Sequence, residues 1–465
     1  MTILSDRRLL FASAIVAAGF FSSKIFGLLR EILIARAFGT RGELDAFFAA
    51  TQFSDLLFAV IAGGALASVF IPVFSGYLVR DPSDSLRMPS TALSPSTPLS
   101  PSTPLRVRGW EFASAIVTDV FLVVAFFSAL AMSFAPQIVE NFLAPGFAPA
   151  QRALTADILR LVLIATMIFS VSGIFTAILH AHNHFILPAL APTLYNLGII
   201  AGAVLFAPHF GILGLAYGVV AGSAAHLLIQ IPGLMRHHAR FIPTLGLRLT
   251  ATRDLLGLLG PRIVTMLVVR VTWIAMTNLA SRLGEGSVSA LSYAYSLWQF
   301  PESLIGTAIA LAVFPRLSAR AAENDRAGLR ALYRIALVSI LGLAIPATLA
   351  TIIFARPLVS LLFERGAFGG GSTDLVATVL QFYALAIAGE SLLELTARIF
   401  YAQRDARTPM FVAIGAMIIR VALMVGWRAW GAPGLALAYA VGVMIEGGAL
   451  ALAQSRAFET HGKAR

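Results

Sequence analysis

The sequence predicts an all-helical, polytopic membrane protein with about twelve spanning helices in two six-helix lobes related by a parallel internal repeat. Three observations carry that reading. Only 12% of the 465 residues are Asp, Glu, Lys or Arg, and 58% are hydrophobic, whereas about 25% are charged in soluble domains. Mean hydropathy is +0.84, and uncharged runs of ~18 or more residues, enough to cross roughly 30 Å of hydrocarbon, recur from end to end. Small motifs of the first half also return in the same order in the second. A transmembrane barrel would alternate apolar and polar residues, and the run Phe121 to Ala131 does not.

Breaks rich in charge, Pro or Gly divide the chain into spans in order. The first, 9–38, follows Arg7 and Arg8 and starts like a signal peptide, but the apolar run continues past Lys24 to Phe38 and a second hydrophobic segment follows at once, so it reads as a retained helix. The second is 45–79. The stretch Ser83 to Pro104 then repeats Leu-Ser-Pro-Ser-Thr-Pro at 93–98 and 99–104. That composition cannot pack a core, so it reads as a cytoplasmic linker. Spans 110–134, 155–180, 187–207 and 212–235 complete an N-lobe at 1–236. An inter-lobe linker at 237–254 precedes a C-lobe at 255–465, with spans 255–281, 287–314, 331–355, 373–401, 409–427 and 433–454.

Gly63-x-Ala65-x-Ala67 leading to Pro72 and Ser75 matches Gly306-x-Ala308-x-Ala310 leading to Pro315 and Ser318. Ala181 and Pro188 match Ala402 and Pro409, and Gly211-x-x-Gly214-Leu215-Ala216 matches Gly431-x-x-Gly434-Leu435-Ala436. Pro72 to Pro188 is 116 residues and Pro315 to Pro409 is 94, a difference equal to the 22 residues of the Ser83–Pro104 insertion. With six helices per half, both halves cross the membrane in the same sense, as in transporters that open a central cavity alternately to each side.

Twenty Lys and Arg fall on the side of the termini and the loops at 80–108, 236–253, 315–334 and 402–409, against six on the other. The positive-inside bias makes both termini cytoplasmic. The net charge of +11 is therefore topology rather than a nucleic-acid footprint, and nucleic acid is not expected as a partner. Absence of Cys excludes disulfide scaffolds, thiolate metal sites and cysteine nucleophiles. No Walker loop, His-Glu-x-x-His or Gly-x-Ser-x-Gly elbow is present, so the chain reads as a secondary transporter rather than an enzyme, with neither metal nor cofactor. His180, His182 and His184 read as a solvated turn.

Charges inside spans are costly unless they face water or a partner, which makes them the functional candidates. The substrate-binding set is Lys24, Arg30, Asp45, Arg262 and Arg270, whose cations suit a phosphate-bearing ligand, Arg by its fork and Lys as a point charge. A structural alternative has Arg36 snorkelling to the interface and Arg30 paired with Asp45. Trp273 lies one turn beyond Arg270, within reach of a stacked or cation–π pair. Glu390, Glu394 and Arg398 share one helix face, where Glu394 and Arg398 are spaced to neutralise each other.

Gly27-Leu-Leu-Arg30-Glu through Arg36-Ala-Phe38-Gly39, Asp45-Ala-Phe-Phe48 and the segment Ala65 to Phe74 resemble the N-terminal signature of MviN/MurJ-type lipid II flippases. Ala144-Pro-Gly-Phe147, Pro188 to Asn196, Gly260-Pro261, Gly286 to Ala290, Phe300-Pro301, Phe314 to Ser318, Glu364 to Phe368 and Phe400 to Pro409 continue the resemblance in that family's order. The resemblance implies the multidrug/oligosaccharidyl-lipid/polysaccharide exporter fold in a bacterial inner membrane. It implies flipping of the undecaprenyl-diphosphate-linked peptidoglycan precursor, lipid II, to the outer leaflet, with membrane lipids and cell-wall synthesis proteins as further partners. Family functional residues carry over at Arg30, Asp45 and, conservatively, Lys24. Leu57 is followed by Phe58 and Ala59 where the family has basic residues, Ser296 replaces a usual cation, and many members have fourteen helices. These departures keep two alternatives open: export of another polyprenyl-diphosphate saccharide or amphiphilic anion, and a non-transporting scaffold of the same fold.

Overall fold

Apolar runs become helices because inside a bilayer every backbone N–H and C=O must be satisfied within its own segment. The computed structural model describes residues 7–61, 70–71, 73–76, 105–245 and 250–460; the Ser83–Pro104 insertion and most of the motif from Gly63 to Pro72 lie outside them. The helices are α1 (Arg7–Phe38), α2 (Gly42–Ile61), α3 (Leu105–Ser133) and α4 (Pro149–Ala181). They continue as α5 (Ile186–Phe210), α6 (Ile212–Arg236), α7 (Thr250–Ala280), α8 (Ser287–Ala322) and α9 (Arg326–Phe363), and end with α10 (Gly370–Ala384), α11 (Ala386–Ala402), α12 (Arg407–Trp427) and α13 (Gly431–Thr460). No strand occurs among the described residues. The expected span 373–401 is two helices, α10 and α11, meeting at a bend of 40° at Leu385. Large apolar side chains such as Leu349, Ile353, Phe354 and Leu361 on α9 point outward, as a lipid-facing helix requires.

Contacts divide the chain into two units, one of residues 1–34, 53–138 and 155–267, the other of 35–52, 139–154 and 268–465. In the first unit, Phe70, Phe74, Phe112, Ile116, Ile174, Ile178 and Leu234 form a core. Helices α5 and α6 pack through glycines: a Cβ on Gly198 would lie 2.2 Å from Gly222 Cα, and one on Gly202 would lie 2.8 Å from Gly218 Cα. Small residues let helices approach this closely, and dispersion between backbones replaces the hydrophobic drive that lipid removes. In the second unit, Leu317, Leu329, Ile340, Leu395, Ile399 and Leu450 form the corresponding core. There α8 widens by one residue over Ser303–Thr307, just after Pro301 removes a backbone donor.

The repeat read from the sequence is repeated in backbone geometry. Gly211 (φ 57, ψ −140) and Gly431 (φ 72, ψ −158) each start the last helix of their half in a conformation open to glycine. Gly214 and Gly434 each abut the end of the preceding helix, and Leu215, Ala216, Leu435 and Ala436 are fully buried. The turns after Ala181 and Ala402 also match: Asn183 and Arg404 have positive φ, and the same five-residue hydrogen bond closes each, His184 N–H to Leu179 O and Asp405 N–H to Phe400 O.

Candidate functional site

In the first unit, one face of α1 descends α5 in steps of three to four residues, the spacing of neighbours on a helix surface. Gly19 abuts Ala189, Ser22 Oγ lies 3.2 Å from Thr193 Oγ1, and Asn196 Nδ2 donates to Ser23 O at 3.2 Å. Next down this face comes Arg30. Its guanidinium donates to Asn196 Oδ1 at 3.0 Å and to Glu31 Oε1 at 2.5 Å. The Arg30 side chain keeps 27% exposure while that of Glu31 keeps 8%, so part of the cation stays accessible beside a nearly buried counter-charge. Tyr195 and Asp55 lie within electrostatic reach. Lys24 is half-buried and has a partner of its own. Six residues separate it from Arg30, about 9 Å along the axis. Asn196 ends a motif noted in the sequence, but its role as the orienting partner of Arg30 spans 166 residues and carried no local signal.

Asp45 lies in the second unit and is fully buried. Its carboxylate caps the start of α8: Oδ2 accepts from Gly286 N–H, and Oδ1 from Ser289 N–H and Ser289 Oγ–H, all at 2.7 Å. A carboxylate suits a helix N-terminus because it meets both unpaired N–H groups and the positive end of the dipole. Four glycine motifs gather around it. Gly42 N–H donates to Glu285 Oε1 at 2.7 Å, Gln151 to Gly42 O at 2.7 Å, Gly146 N–H to Ser281 Oγ at 3.1 Å, and Ala367 N–H to Arg36 O at 2.9 Å. Cβ atoms on Gly39 or Gly366, both at positive φ, would collide with backbone oxygens at 2.4 and 2.5 Å. A cavity of about 570 Å³ opens here, lined by Glu43, Asp45, Gln151, Arg282 and Glu285 among others.

Arg270, in the same unit, is half-buried, has a partner, and lies within electrostatic reach of Tyr295. Trp273 packs against Tyr295 with ring centroids 4.3 Å apart and against Tyr439 at 5.6 Å; the guanidinium over a ring here is that of Arg420, 5.0 Å from the Tyr439 centroid. Arg262 lies on α7, and its side chain is outside the described residues. Arg30 takes Glu31 and Asn196 as partners and Asp45 takes α8, so the alternative of a mutual Arg30–Asp45 pair is replaced by separate local roles. Arg36 is exposed, Glu394 pairs with Arg398 within one helix, and Ser296 Oγ is satisfied by Ser292 O at 3.1 Å.

Sequence reading passed over the ion pair of Arg420 and Glu446, both buried and 2.7 Å apart, although the rule that charges within spans are functional candidates applies to it equally. The histidines also differ from a solvated turn. His182 stacks on Trp110 with centroids 5.7 Å apart and packs against His237 at a 36° tilt with centroids 4.5 Å apart, and His184 meets His237 edge-on. Among the described residues, no cluster of three or more His, Asp or Glu is arranged to hold a metal ion.

A family model described as Lipid II flippase MurJ matches residues 34–464. The Lipid II flippase MurJ of Burkholderia cenocepacia is 32% identical over 419 residues, covering 88% of this chain and 77% of that protein. A probable lipid II flippase MurJ of Thermotoga maritima is 28% identical over 427 residues, covering 91% and 80%. Among solved structures, one of Lipid II flippase MurJ in an inward closed conformation aligns with a TM-score of 0.78 at 24% identity, covering 95% of this chain and 87% of that one. An inward-facing multidrug resistance MATE family transporter of the MOP superfamily aligns at 0.73 and 15% identity, covering 95% and 96%.

Proposed function

The chain belongs to the lipid II flippase MurJ family, and on that premise we propose that it moves lipid II across the bacterial inner membrane by alternating access, with Arg30 holding the diphosphate. The observation that carries this reading is a partly exposed guanidinium on a spanning helix, oriented by Asn196 and neutralised by Glu31 until an anion replaces that carboxylate. A diphosphate carries about two negative charges, and moving one charge through 100 mV involves ~2.3 kcal/mol, so cations along the path offset both desolvation and transfer. Lys24, Arg262 and Arg270 are the further cations of the proposed path. Asp45 serves it indirectly, by fixing the start of α8 and the glycine-rich turns around it. Both termini are cytoplasmic in this reading, and transport is secondary, driven without nucleotide hydrolysis.

Complementation of a flippase-depleted bacterium, with lipid II accumulation as readout, tests the proposal. Arg30→Ala abolishes flipping, Arg30→Lys retains part of it because charge survives the loss of the fork, and Arg36→Ala is mild. Full growth from a well-expressed Arg30→Ala protein would refute the diphosphate role.

A further inference from the structure

At the end of the second unit that carries the Arg-rich turn 315–334, the ends of α8, α9, α11 and α13 surround a cavity of about 280 Å³. Its walls combine apolar surface from Leu329 and Phe458 with polar groups from Arg320, Asn324, Asp325 and Arg326. At the closed end lies Gln454, which is fully buried, and neither its Nε2 nor its Oε1 has a hydrogen-bond partner. Each amide atom left unpaired in the interior costs about 1–3 kcal/mol, so a glutamine is a poor filler where Leu would pack, unless an occupant pairs with it. The complementary group is one that donates and accepts at once, as a hydroxyl does.

The mouth supplies the second half of the recognition. Arg326 is exposed and in no ion pair among the described residues, while Arg320 is held by Asp325 at 2.5 Å. Asp325 is spent twice, on Arg320 and on Gly328 N–H at 2.8 Å, where it caps α9. Two guanidiniums against one neutralised carboxylate leave a net positive mouth above a floor that needs a hydroxyl. Basic pockets between spanning helices at the arginine-rich face are where anionic head groups bind. The volume lies below the roughly 300–1,000 Å³ of sites for drug-sized ligands, which suits a head group better than a nucleotide.

We propose that this pocket binds a phosphate ester with a neighbouring free hydroxyl, its phosphate on Arg320 and Arg326 and its hydroxyl on the Gln454 amide, and that the source is the head group of a phosphatidylglycerol-type lipid. The site is separate from Arg30 and does not depend on what the protein transports.

The test uses the full-length protein in nanodiscs of phosphatidylcholine, of phosphatidylcholine with increasing phosphatidylglycerol, and of phosphatidylcholine with soluble glycerol phosphate, reading the melting temperature. Wild type is stabilised by phosphatidylglycerol. Gln454→Leu melts at or above wild type in phosphatidylcholine alone, because its unpaired amide is gone. Both Gln454→Leu and the surface change Arg326→Ala need about ten-fold more phosphatidylglycerol for half-maximal stabilisation, equivalent to ~1.4 kcal/mol. Equal stabilisation by soluble glycerol phosphate would keep the chemistry and overturn the lipid source. No stabilisation of wild type, or the same response in all three proteins, would overturn the site and leave Gln454 to water.

Discussion

Replacing Asp45 by Ala removes a carboxylate that accepts three hydrogen bonds, two of them from backbone N–H groups that no other acceptor is shown to take. Ser289 Oγ retains Gly286 O at 3.3 Å, so the uncompensated loss is the pair of buried N–H groups of Gly286 and Ser289. At ~1–3 kcal/mol for each buried donor left unpaired, and with an N-cap worth ~0.5–2 kcal/mol, the change costs about 3–5 kcal/mol. Taking ~2–4 °C per kcal/mol for a body of the second unit's size, the apparent melting temperature in detergent falls by about 10 °C. Asp45→Asn keeps one acceptor oxygen and falls roughly half as far, while Ser289→Ala loses only the hydroxyl bond and costs about 1 kcal/mol. Fluorescence-detected size-exclusion after heating reads all three. If Asp45→Ala melts within a degree or two of wild type but no longer flips lipid II, the cap is not what Asp45 contributes, and a direct substrate role takes its place.

Three further outcomes follow from other parts of the molecule. Arg420→Met or Glu446→Leu alone strands a buried charge and destabilises by about 3–5 kcal/mol, whereas Arg420→Met with Glu446→Leu costs less than either, so a double-mutant cycle by thermal unfolding that comes out additive would refute the pairing. Burial first, then neighbouring positive charge, holds His184 and His237 below the ordinary imidazole value of ~6.5. The unfolded chain therefore binds more protons just below that pH, and stability falls as pH drops through this window. Melting temperatures between pH 7.5 and 5.5 decline more for wild type than for His237→Gln, and parallel curves would rule the cluster out. Deleting Ser83 to Pro104 leaves membrane insertion and flipping near wild type, because the second half joins its matching spans without those 22 residues; loss of inserted protein on a blot would show the segment is structural.

The spans were legible because each helix is dictated by its own composition: a long apolar run in lipid has no other way to satisfy its backbone, and among the described residues the expected spans fall on helices, the second as far as Ile61. The repeat was legible at Gly211 and Gly431 because a positive-φ turn calls for glycine, a requirement of one residue on its own backbone. Position 385 is where this local reading ran out, since the bend between α10 and α11 follows no Pro or Gly in the sequence. Arg404 and His238 likewise take positive φ without glycine, closing helix ends whose five-residue hydrogen bonds offset the cost.

The roles of the charges depended on tertiary structure. Sequence chemistry marked Arg30 and Asp45 as costly inside a membrane and so in need of partners, and that much followed from desolvation alone. Which partners they found did not. Arg30 meets Asn196 across 166 residues, Asp45 meets Gly286 across 241, and Arg420 meets Glu446 across 26, the first two on helices that approach because small residues let them pack. A charge's need for compensation is a property of the residue and its solvent, whereas the choice of counter-group is set by which surfaces the fold brings within about 3 Å, a distance no spacing along one chain encodes.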